Sequence, residues 1–394
     1  MKNKVVLFIF LIIITLSITS CNDGTIKIVH ASDLHYMSHS LIEDDDFLWE
    51  VTEFGDGKDI LHSSDITSVF VSDMLKMKPD VVVLTGDLTL NGEKKSNEEL
   101  RDKLSVLKEN GIKVLVITGN HDVNRKAYRY TDVGVEEVES LSSQEFEDLW
   151  YDYGYGDALY HDDWSNSYVY SINEKLWLLA IDSNTGMKGI IRGTTLNWIE
   201  TVLKEAKEKN IRVISLTHQN LFVHNSLFTW GYQLDNAQKL IDLFKEYDVH
   251  LNLSGHLHVQ TIKEEDGITD IAVSSLSVTP LQYGILTIDD NKLTYKTKSI
   301  SSEQLKNEAK LLFDTCTKNK IERDFSDSLS EEERTMFTSI AVKLNREYFE
   351  GKINPLSEEE LNALKNSSIG FFSSYLVNIY SPDVDNRNWQ SKSQ

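Results

Sequence analysis

The sequence predicts an α/β protein, and two regularities of the chain support this prediction. Helix signals alternate with short, mostly apolar stretches that have the composition of buried strands, namely residues 26–29, 81–84, 114–117, 213–216 and 249–253. Such alternation is typical of layered α/β architecture. Each stretch also leads directly into polar residues, and ligand sites in open α/β sheets lie beyond the carboxyl ends of strands.

Length and charge limit the classes of protein to consider. A chain of 394 residues predicts one large domain with a smaller one beside it. The net charge of −22 and the lack of a stripe rich in lysine and arginine disfavour a protein that binds nucleic acid through its phosphates. If the substrate is an anion, we expect bound metal ions to attract it.

The N-terminus predicts export. Residues 1–20 combine a basic start, an apolar run that is too short for a comfortable membrane span, and small or polar residues. Residues 18–21, Ile-Thr-Ser-Cys, resemble a bacterial lipobox, which implies cleavage before Cys21 and acylation of that cysteine. We therefore expect a protein lipid-anchored to the outer face of a bacterial cell membrane. An ordinary signal peptide or an uncleaved anchor is the alternative, and with only Cys316 besides Cys21 no internal disulfide framework is expected.

The first two strands each end in candidate ligands. The first leads to Asp33 and His35, which lie two residues apart and can point into one site. Residues 36–62 follow, with an acidic run, and a solvated insertion loop is favoured over a rim or lid of the site. A helix over 63–78 then precedes the strand that ends at Gly86 and Asp87.

The third strand follows a helix predicted over 96–110 and ends in Gly119-Asn120-His121-Asp122. Asn120 offers a neutral oxygen ligand and His121 a proton donor. Asp122 is predicted to orient the His121 ring, with a helix cap as an equal alternative.

The middle of the chain supplies the remaining histidines. A helix over 141–152, strands over 167–172 and 175–182, and a helix over 194–209 lead to the strand that ends at His218. The next strand ends in the segment that carries His256 and His258. Residues 182–184 are assigned to a structural turn, while the aromatic residues of 219–232 suit substrate contact and packing equally.

Beyond the histidines, strands are predicted over 268–275, 284–288 and 292–298. The remaining residues have capping-box spacings and amphipathic faces but no cluster of ligand residues. We therefore predict three parts: a lipoprotein signal peptide over 1–20, a catalytic domain over 21–300 and a helical accessory domain over 301–394.

Seven nitrogen and oxygen donors follow apolar strands, which packing alone does not explain. They are Asp33, His35, Asp87, Asn120, His218, His256 and His258. Such donors suit Mn, Fe, Zn, Co or Ni. Asp87 is well placed to bridge two cations, and a metal pair can clamp a phosphoryl group and activate water. His121, beside a ligand, suits a general acid that protonates the leaving oxygen.

The ordered motifs Asp-Xaa-His, Gly-Asp, Gly-Asn-His-Asp, His and Gly-His-Xaa-His resemble those of the calcineurin-like metallophosphoesterase family over residues 25–290. The resemblance implies a four-layer α/β/β/α sandwich, a dinuclear centre and a catalytic role for His121. It assigns the first metal to Asp33, His35, Asp87 and His258. It assigns the second metal to Asp87, Asn120, His218 and His256. The family's common His-Xaa-Pro pattern is replaced here, because Gln219 and Asn220 follow His218.

Within that family the layout resembles exported bacterial phosphodiesterases related to the class III cyclic-nucleotide enzymes. We therefore expect a dinuclear metal-dependent phosphoesterase that favours phosphodiesters, with cyclic nucleotides among the candidate substrates. A phosphomonoesterase or nucleotidase and a phospholipid-headgroup hydrolase are the alternatives within the enzyme class. A non-catalytic surface binding lipoprotein is the alternative of another class, and the intact ligand set argues against it.

Overall fold

The computed structural model describes residues 24–289, 292–325, 329–366 and 370–391. The predicted export signal, Cys21 and residues 290–291 between the last two predicted strands lie outside these ranges. Among the helices described, none combines the length and the apolar character needed to cross a membrane.

The described residues form fifteen strands, and the strands predicted from apolar stretches are among them. In chain order they are β1 Ile26–Ala31, β2 Val81–Leu84, β3 Lys113–Val116, β4 Ala127–Thr131, β5 Gly134–Val138, β6 Tyr160–His161, β7 Tyr168–Asn173, β8 Leu176–Ala180, β9 Arg212–Leu216, β10 Leu251–Ser254, β11 Thr261–Glu265, β12 Ile268–Ala272, β13 Gln282–Asp289, β14 Lys292–Ser299 and β15 Asn388–Gln390.

The same residues form ten α-helices, together with a 3-10 turn at His39–Leu41 and a π-helical turn at Tyr151–Tyr155. In chain order the helices are α1 Asp45–Thr52, α2 Ser63–Met77, α3 Lys94–Glu109, α4 Ser143–Leu149, α5 Gly193–Glu208, α6 Ala237–Glu246, α7 Glu303–Asp324, α8 Glu331–Glu350, α9 Glu358–Asn366 and α10 Gly370–Ile379.

Two mixed sheets form the centre of the molecule. The first has the strand order β15-β14-β13-β1-β2-β3, and the second has the order β11-β12-β10-β9-β8-β7-β6. Strands β1, β2 and β3 run parallel, as do β8, β9, β10 and β12. The hairpin β4-β5 is a separate two-stranded sheet.

The packing of β8 shows how four layers arise. Leu178 and Ala180 point into the core between the sheets, which also takes in α2 and α3. Trp177, Leu179 and Ile181 point the other way, into a core shared with α5 and α6. Because successive side chains of a strand point to opposite faces, an unbroken apolar run is needed where both faces are covered. The α/β class predicted from the sequence is confirmed, with helices outside each of two facing sheets.

The parallel strands end level with one another. In the first sheet Ala31 lies opposite Leu84, and Leu84 lies opposite Val116. In the second sheet Leu216 of β9 pairs with Leu253 of β10. The polar residues that follow these strands are therefore delivered to one edge of each sheet, as expected for parallel α/β units.

Residues 36–62 differ from the solvated insertion loop that the sequence favoured. The segment contains α1, and its residues Met37, Leu48 and Ile60 are buried in a small core that they share with Leu90 and Tyr130. Composition was misleading because the acidic run caps and begins a helix: Asp44 accepts a hydrogen bond from the Phe47 amide at 2.8 Å. Helix α6, strand β11 and the β4-β5 hairpin were also not predicted.

The C-terminal helices pack against the sheets as well as against each other. Leu305 of α7 joins the main core, and Phe313 packs with Leu257, which lies between the two histidines of the Gly-His-Leu-His motif, and with Val259, which follows them. Helices α7 to α10 share a further core. The region was predicted to be helical, but it also contributes β15, which extends the first sheet by pairing with β14. The boundary at residue 300 stays a prediction.

We expect Phe313→Ala to lower the free energy of unfolding by about 3–5 kcal/mol, because it removes a buried ring that lies 4.9 Å from the Phe349 ring. Leu311→Ala on the same helix is the matched control. Leu311 is 69% exposed, so its change should stay within about 0.5 kcal/mol. Urea denaturation of both variants measures this, and equal effects would show that α7 does not depend on this contact.

Candidate metal centre

The strand exits bring the predicted aspartates and histidines together in two groups. The first group is Asp33, His35, Asp87 and His258, and the second is Asp87, His218 and His256. Within each group the candidate ligand atoms lie within 4.8 Å of one another. Asp87 belongs to both groups, which is the placement expected of a bridging carboxylate.

Asn120 lies at the second group. Its Oδ1 is 2.9 Å from His218 Nε2, and that nitrogen is 3.3 Å from Asp87 Oδ1. The structure therefore places all seven predicted ligand residues at one centre, divided as the family resemblance implies.

The backbone at these residues is strained. Five of the seven have positive φ angles, namely Asp33 at 54°, His35 at 42°, Asp87 at 50°, His256 at 66° and His258 at 60°. Residues with a side chain avoid this region, and such strain persists where the surroundings over-determine it. Here hydrogen bonds between strand exits do so: the Asp33 amide donates to Gly86 O at 3.0 Å, and the His256 amide donates to Asp33 Oδ2 at 2.9 Å.

Two glycines of the motifs are explained by close approach. A Cβ at Gly119 would overlap the backbone nitrogen and the carboxylate of Asp87. A Cβ at Gly255 would overlap the Ser32 hydroxyl and lie 2.7 Å from Asp33 Oδ2. Any larger residue at these positions would push the carboxylates out of the centre.

Contacts behind the rings orient three of the histidines. His218 Nδ1 donates to Thr85 O at 2.8 Å, which leaves Nε2 facing Asp87. His256 Nε2 donates to Gly231 O at 2.7 Å, which leaves Nδ1 as the ligand atom. His258 Nδ1 lies 2.5 Å from Asp56 Oδ2. Such partners select the tautomer and hold the ring of a metal-bound histidine.

The donor set fits two cations. Asp33 Oδ1 is buried without a hydrogen-bond partner, and the Nε2 atoms of His35 and His258 face each other at 3.0 Å. Burial opposes the charged form of His218, but the Asp87 and Asp33 carboxylates outweigh it and raise its pKa to about 9. The carboxylates thus attract positive charge into a buried site, which is what a divalent cation would supply.

His121 stands beside these groups without belonging to either. Its Nδ1 donates to Leu90 O at 2.6 Å, and its Nε2 lies 4.0 Å from Asp87 Oδ2. The His121 side chain is 23% exposed, whereas that of His218 is fully buried. The ring is therefore fixed at one nitrogen and open to the cleft at the other, as proton transfer requires.

Asp122 occupies a different place from the predicted one. Its carboxylate accepts hydrogen bonds from the amides of Leu88 at 2.8 Å, Thr89 at 3.2 Å and Gly119 at 2.7 Å. The His121 ring is oriented by Leu90 O instead. Asp122 therefore acts on the centre through the shape of the turns, because three amides that point inward need a buried acceptor. Neither does a helix begin here, so the predicted cap has no counterpart.

The residues after His218 also serve the turns. Asn220 Nδ2 donates to Gly255 O at 3.1 Å. Gln219 Nε2 donates to Asn184 Oδ1 at 2.8 Å, and Asn184 in turn donates to Thr118 O at 3.1 Å. Residues 182–184 are thus the structural turn that was predicted, and they brace the strand exit that carries Asn120.

The centre opens into a cleft of about 670 Å³. One side of it is formed by residues of the centre, and the other by the 36–62 insertion and the C-terminal helices. The loop at 219–232 has the predicted packing role and also lines the cleft, while substrate contact stays a prediction. Phe228 packs 5.9 Å from the Tyr375 ring, whereas Tyr232 lies 5.5 Å from the His256 ring and Trp230 is 88% exposed at the cleft.

Several charged residues of this site were not predicted. Asp56 and Lys58 come from the insertion, and Lys320 from α7. Arg125 Nη1 donates to Asn120 O at 3.2 Å, and Lys188 Nζ donates to the same carbonyl. These cations lie beside the centre in addition to the metals that were expected to attract an anionic substrate. None of these residues follows a strand, so no pattern in the sequence separates them from surface charges.

Comparisons with known proteins agree with this geometry. A family model described as calcineurin-like phosphoesterase matches residues 26–260. A curated protein, the probable glycerophosphodiester phosphodiesterase GpdQ of Arcobacter nitrofigilis, is 28% identical over 198 residues, which cover 47% of this chain and 58% of that protein. A dimetal phosphatase structure from Danio rerio matches with a TM-score of 0.53 at 12% identity, over 70% of this chain and 97% of the other. This last similarity bears on the fold alone.

We expect Asp56→Ala to weaken metal binding about 10- to 100-fold, because it removes the carboxylate that holds the His258 ring. Asp46→Ala is the matched control, since Asp46 is an exposed carboxylate of the same insertion. Calorimetric titration of Mn²⁺ into the metal-free proteins measures the effect. Unchanged affinity in Asp56→Ala would mean that the ring is held by other contacts.

Proposed function

This chain belongs to the calcineurin-like phosphoesterase family, and we propose that within it the chain is a phosphodiesterase. The family and the paired ligand groups support a dinuclear metal-dependent hydrolase of phosphoric esters. The observation that carries the proposal is the shared Asp87, with His121 beside it and outside both ligand groups.

The paired groups would hold two metal ions, which would supply a nucleophile at neutral pH and neutralise charge on the phosphoryl group. Mn, Fe, Zn, Co and Ni are the metals that imidazole and carboxylate donors of this kind would bind. The protein's part is to hold the donors in place: Asp87 in both groups, and Asn120 as a neutral donor beside His218.

His121 is the proposed general acid. Because its Nδ1 is bonded to Leu90 O, a second proton on the ring resides on Nε2, which faces the centre. Burial lowers the pKa of His121 and Asp87 opposes that effect, while Arg125 and Lys58 lower the pKa further. A bound phosphoryl anion favours the imidazolium by placing negative charge beside it. The proton then passes from Nε2 to the leaving oxygen.

A diester is favoured over a monoester because the cleft continues beyond the centre. Rings of Tyr232 and Phe228, 5.3 Å apart, extend from the His256 ring along one wall. They offer apolar faces to a second ester substituent such as a nucleoside, which includes cyclic nucleotides among the candidates. The relative named as a probable glycerophosphodiester phosphodiesterase also supports a diester substrate.

A hydrolysis panel on metal-reconstituted protein tests the proposal. It compares cyclic nucleotides, linear diesters, glycerophosphodiesters and monoesters, with metal content measured on the same samples. Faster turnover of diesters supports the proposal. A preference for monoesters would favour a phosphomonoesterase or nucleotidase, and full metal occupancy without turnover of any ester would favour a binding lipoprotein.

We expect His121→Ala to retain both metals and to slow diester cleavage by about 10²–10⁴-fold, the usual loss for a missing general acid. The loss should be smaller for a nitrophenyl ester, because nitrophenolate leaves without protonation. Metal analysis and steady-state kinetics on the two ester types measure both effects.

Asp87→Ala is the comparison variant for this experiment. It should lose metal and activity together, because both ligand groups use this carboxylate. Loss of metal in His121→Ala would make His121 a ligand or a support of the centre. Equal slowing of both ester types with metal retained would make it a phosphate-orienting residue.

We further propose that Cys21 carries lipid and anchors the enzyme to the outer face of the membrane. Support comes from the order of the basic start, the apolar run and the lipobox-like end of residues 1–21. A single acyl chain binds a membrane only marginally, so stable anchoring needs at least two chains.

Cys21→Ser should release the protein from the membrane fraction in cells and leave the activity of the purified catalytic domain unchanged. Fractionation and mass analysis of the N-terminal peptide check this. A wild-type peptide without added lipid mass would count against the anchor.

A further inference from the structure

Two cations of α7 face the cleft without a carboxylate partner. Lys320 is half-buried, and its side chain forms no hydrogen bond or ion pair within the part of the chain that the structure describes. Arg323 is exposed, its guanidinium lies over the Phe54 ring at 4.4 Å from the ring centroid, and it forms no ion pair with a described residue. Both side chains line the cleft that holds the metal centre.

Unpaired cations are unexpected on this chain, which has 62 acidic and 40 basic residues. Some cations of the C-terminal helices are paired: Lys306 lies 2.6 Å from Glu303, and Arg346 lies 3.4 Å from Asp314. Lys310 and Lys318 of α7 form no ion pair with a described residue, but they are exposed to solvent, whereas Lys320 is half-buried. A partly buried ammonium without a partner costs free energy, and burial lowers the pKa of Lys320 accordingly. The Lys320 ammonium can therefore accept an ion pair from a negatively charged group of a ligand.

The neighbouring carboxylates do not fill this role. Asp56, which attracts Lys320, uses one oxygen for His258 and has the other 3.3 Å from Lys58. Asp324 also lines the cleft but is exposed and forms no ion pair with a described residue. The wall formed by the insertion and α7 therefore has three cations, Lys58, Lys320 and Arg323, against the two carboxylates of Asp56 and Asp324, which leaves a small excess of positive charge.

The chemistry of the two cations indicates their ligand. An arginine fork matches two oxygens of a phosphate group, and a lysine adds a point charge. Tyr348 and Phe349 of α8 line the same cleft. An organic group that connects two phosphates can therefore lie along this apolar surface, with one phosphate at the metal centre and the other at the two cations.

We propose that Lys320 and Arg323 form a second phosphate-binding subsite, so that the preferred substrate is a phosphodiester that carries a terminal phosphate away from the scissile bond. The inference rests on the proposed phosphodiesterase function and specifies its substrate class. A linear dinucleotide with a 5′-phosphate has the required charges, with its bases placed to contact aromatic side chains.

The test compares dithymidine monophosphate with and without a 5′-phosphate, using the metal-loaded full chain. Wild-type protein should have the higher kcat/KM for the phosphorylated dinucleotide, mainly through a lower KM. Lys320→Gln and Arg323→Gln should each reduce that preference about 10-fold or more, since each removes a charge-assisted hydrogen bond. Product analysis separates diester cleavage from removal of the terminal phosphate.

Lys318→Gln is the matched control, because Lys318 is an exposed lysine of α7 that lines a different depression. It should keep the wild-type preference, and an equal loss there would overturn the subsite by making the effect one of general charge. A wild-type protein that treats both dinucleotides alike would overturn it as well.

Calorimetric binding of the same two dinucleotides distinguishes failure of the subsite from failure of the proposed function. If neither is hydrolysed but the phosphorylated one binds more tightly, and Lys320→Gln abolishes that difference, the subsite stands and the phosphodiesterase proposal fails. If the diester is hydrolysed but the 5′-phosphate affects neither KM nor binding, the function stands and the subsite is wrong.

Discussion

The sharing of Asp87 by two ligand groups is the constraint on which the rest of the site depends. This buried carboxylate must reach both groups, so the chain turns sharply after β2, with a φ of 50° at Asp87 itself. The Asp87 Oδ1 atom also accepts a hydrogen bond from the His121 amide at 2.7 Å, which ties the next strand exit to the same point. Gly119 follows from this arrangement because a larger residue would collide with the carboxylate.

Buried polar networks keep the strained turns in place. The Asp122 carboxylate accepts hydrogen bonds from three backbone amides in the turns that carry Asp87 and Asn120. Asp270 plays the corresponding part in the second sheet: it accepts hydrogen bonds from the Leu221 amide at 2.6 Å and from the Ser254 hydroxyl at 2.8 Å. These bonds stabilise turns that their own residues would not adopt, since a left-handed backbone at a side-chain-bearing residue costs of order 1–3 kcal/mol. The ligands are thereby pre-positioned on rigid supports.

The second wall of the cleft has a different origin. It comes from the insertion and from α7, which are joined where Phe313 packs against Gly57. Asp56 links this wall to the centre, because its carboxylate contacts the ring of His258, a residue of the first candidate ligand group. In a strongly acidic chain, Lys58, Lys320 and Arg323 place three cations on this wall of the cleft, an arrangement that the net charge of the chain does not reveal.

By itself the sequence determined the α/β class, the main strands and the residues of the centre. Residues such as Asp33 and Asn120 directly follow apolar strands, and those strands can be recognised from the sequence pattern. It did not determine the contacts of Asp122. A carboxylate next to His121 in the chain can point either to the imidazole ring or to backbone amides, and the conformation of the turn selects between them. The sequence also left out Asp56 and Lys320. Asp56 lies 202 residues before His258 in the chain. Lys320 lies on α7, outside the region that the family model matches. Only tertiary packing of the insertion and α7 brings them to the cleft, because contacts so distant in sequence leave no local pattern.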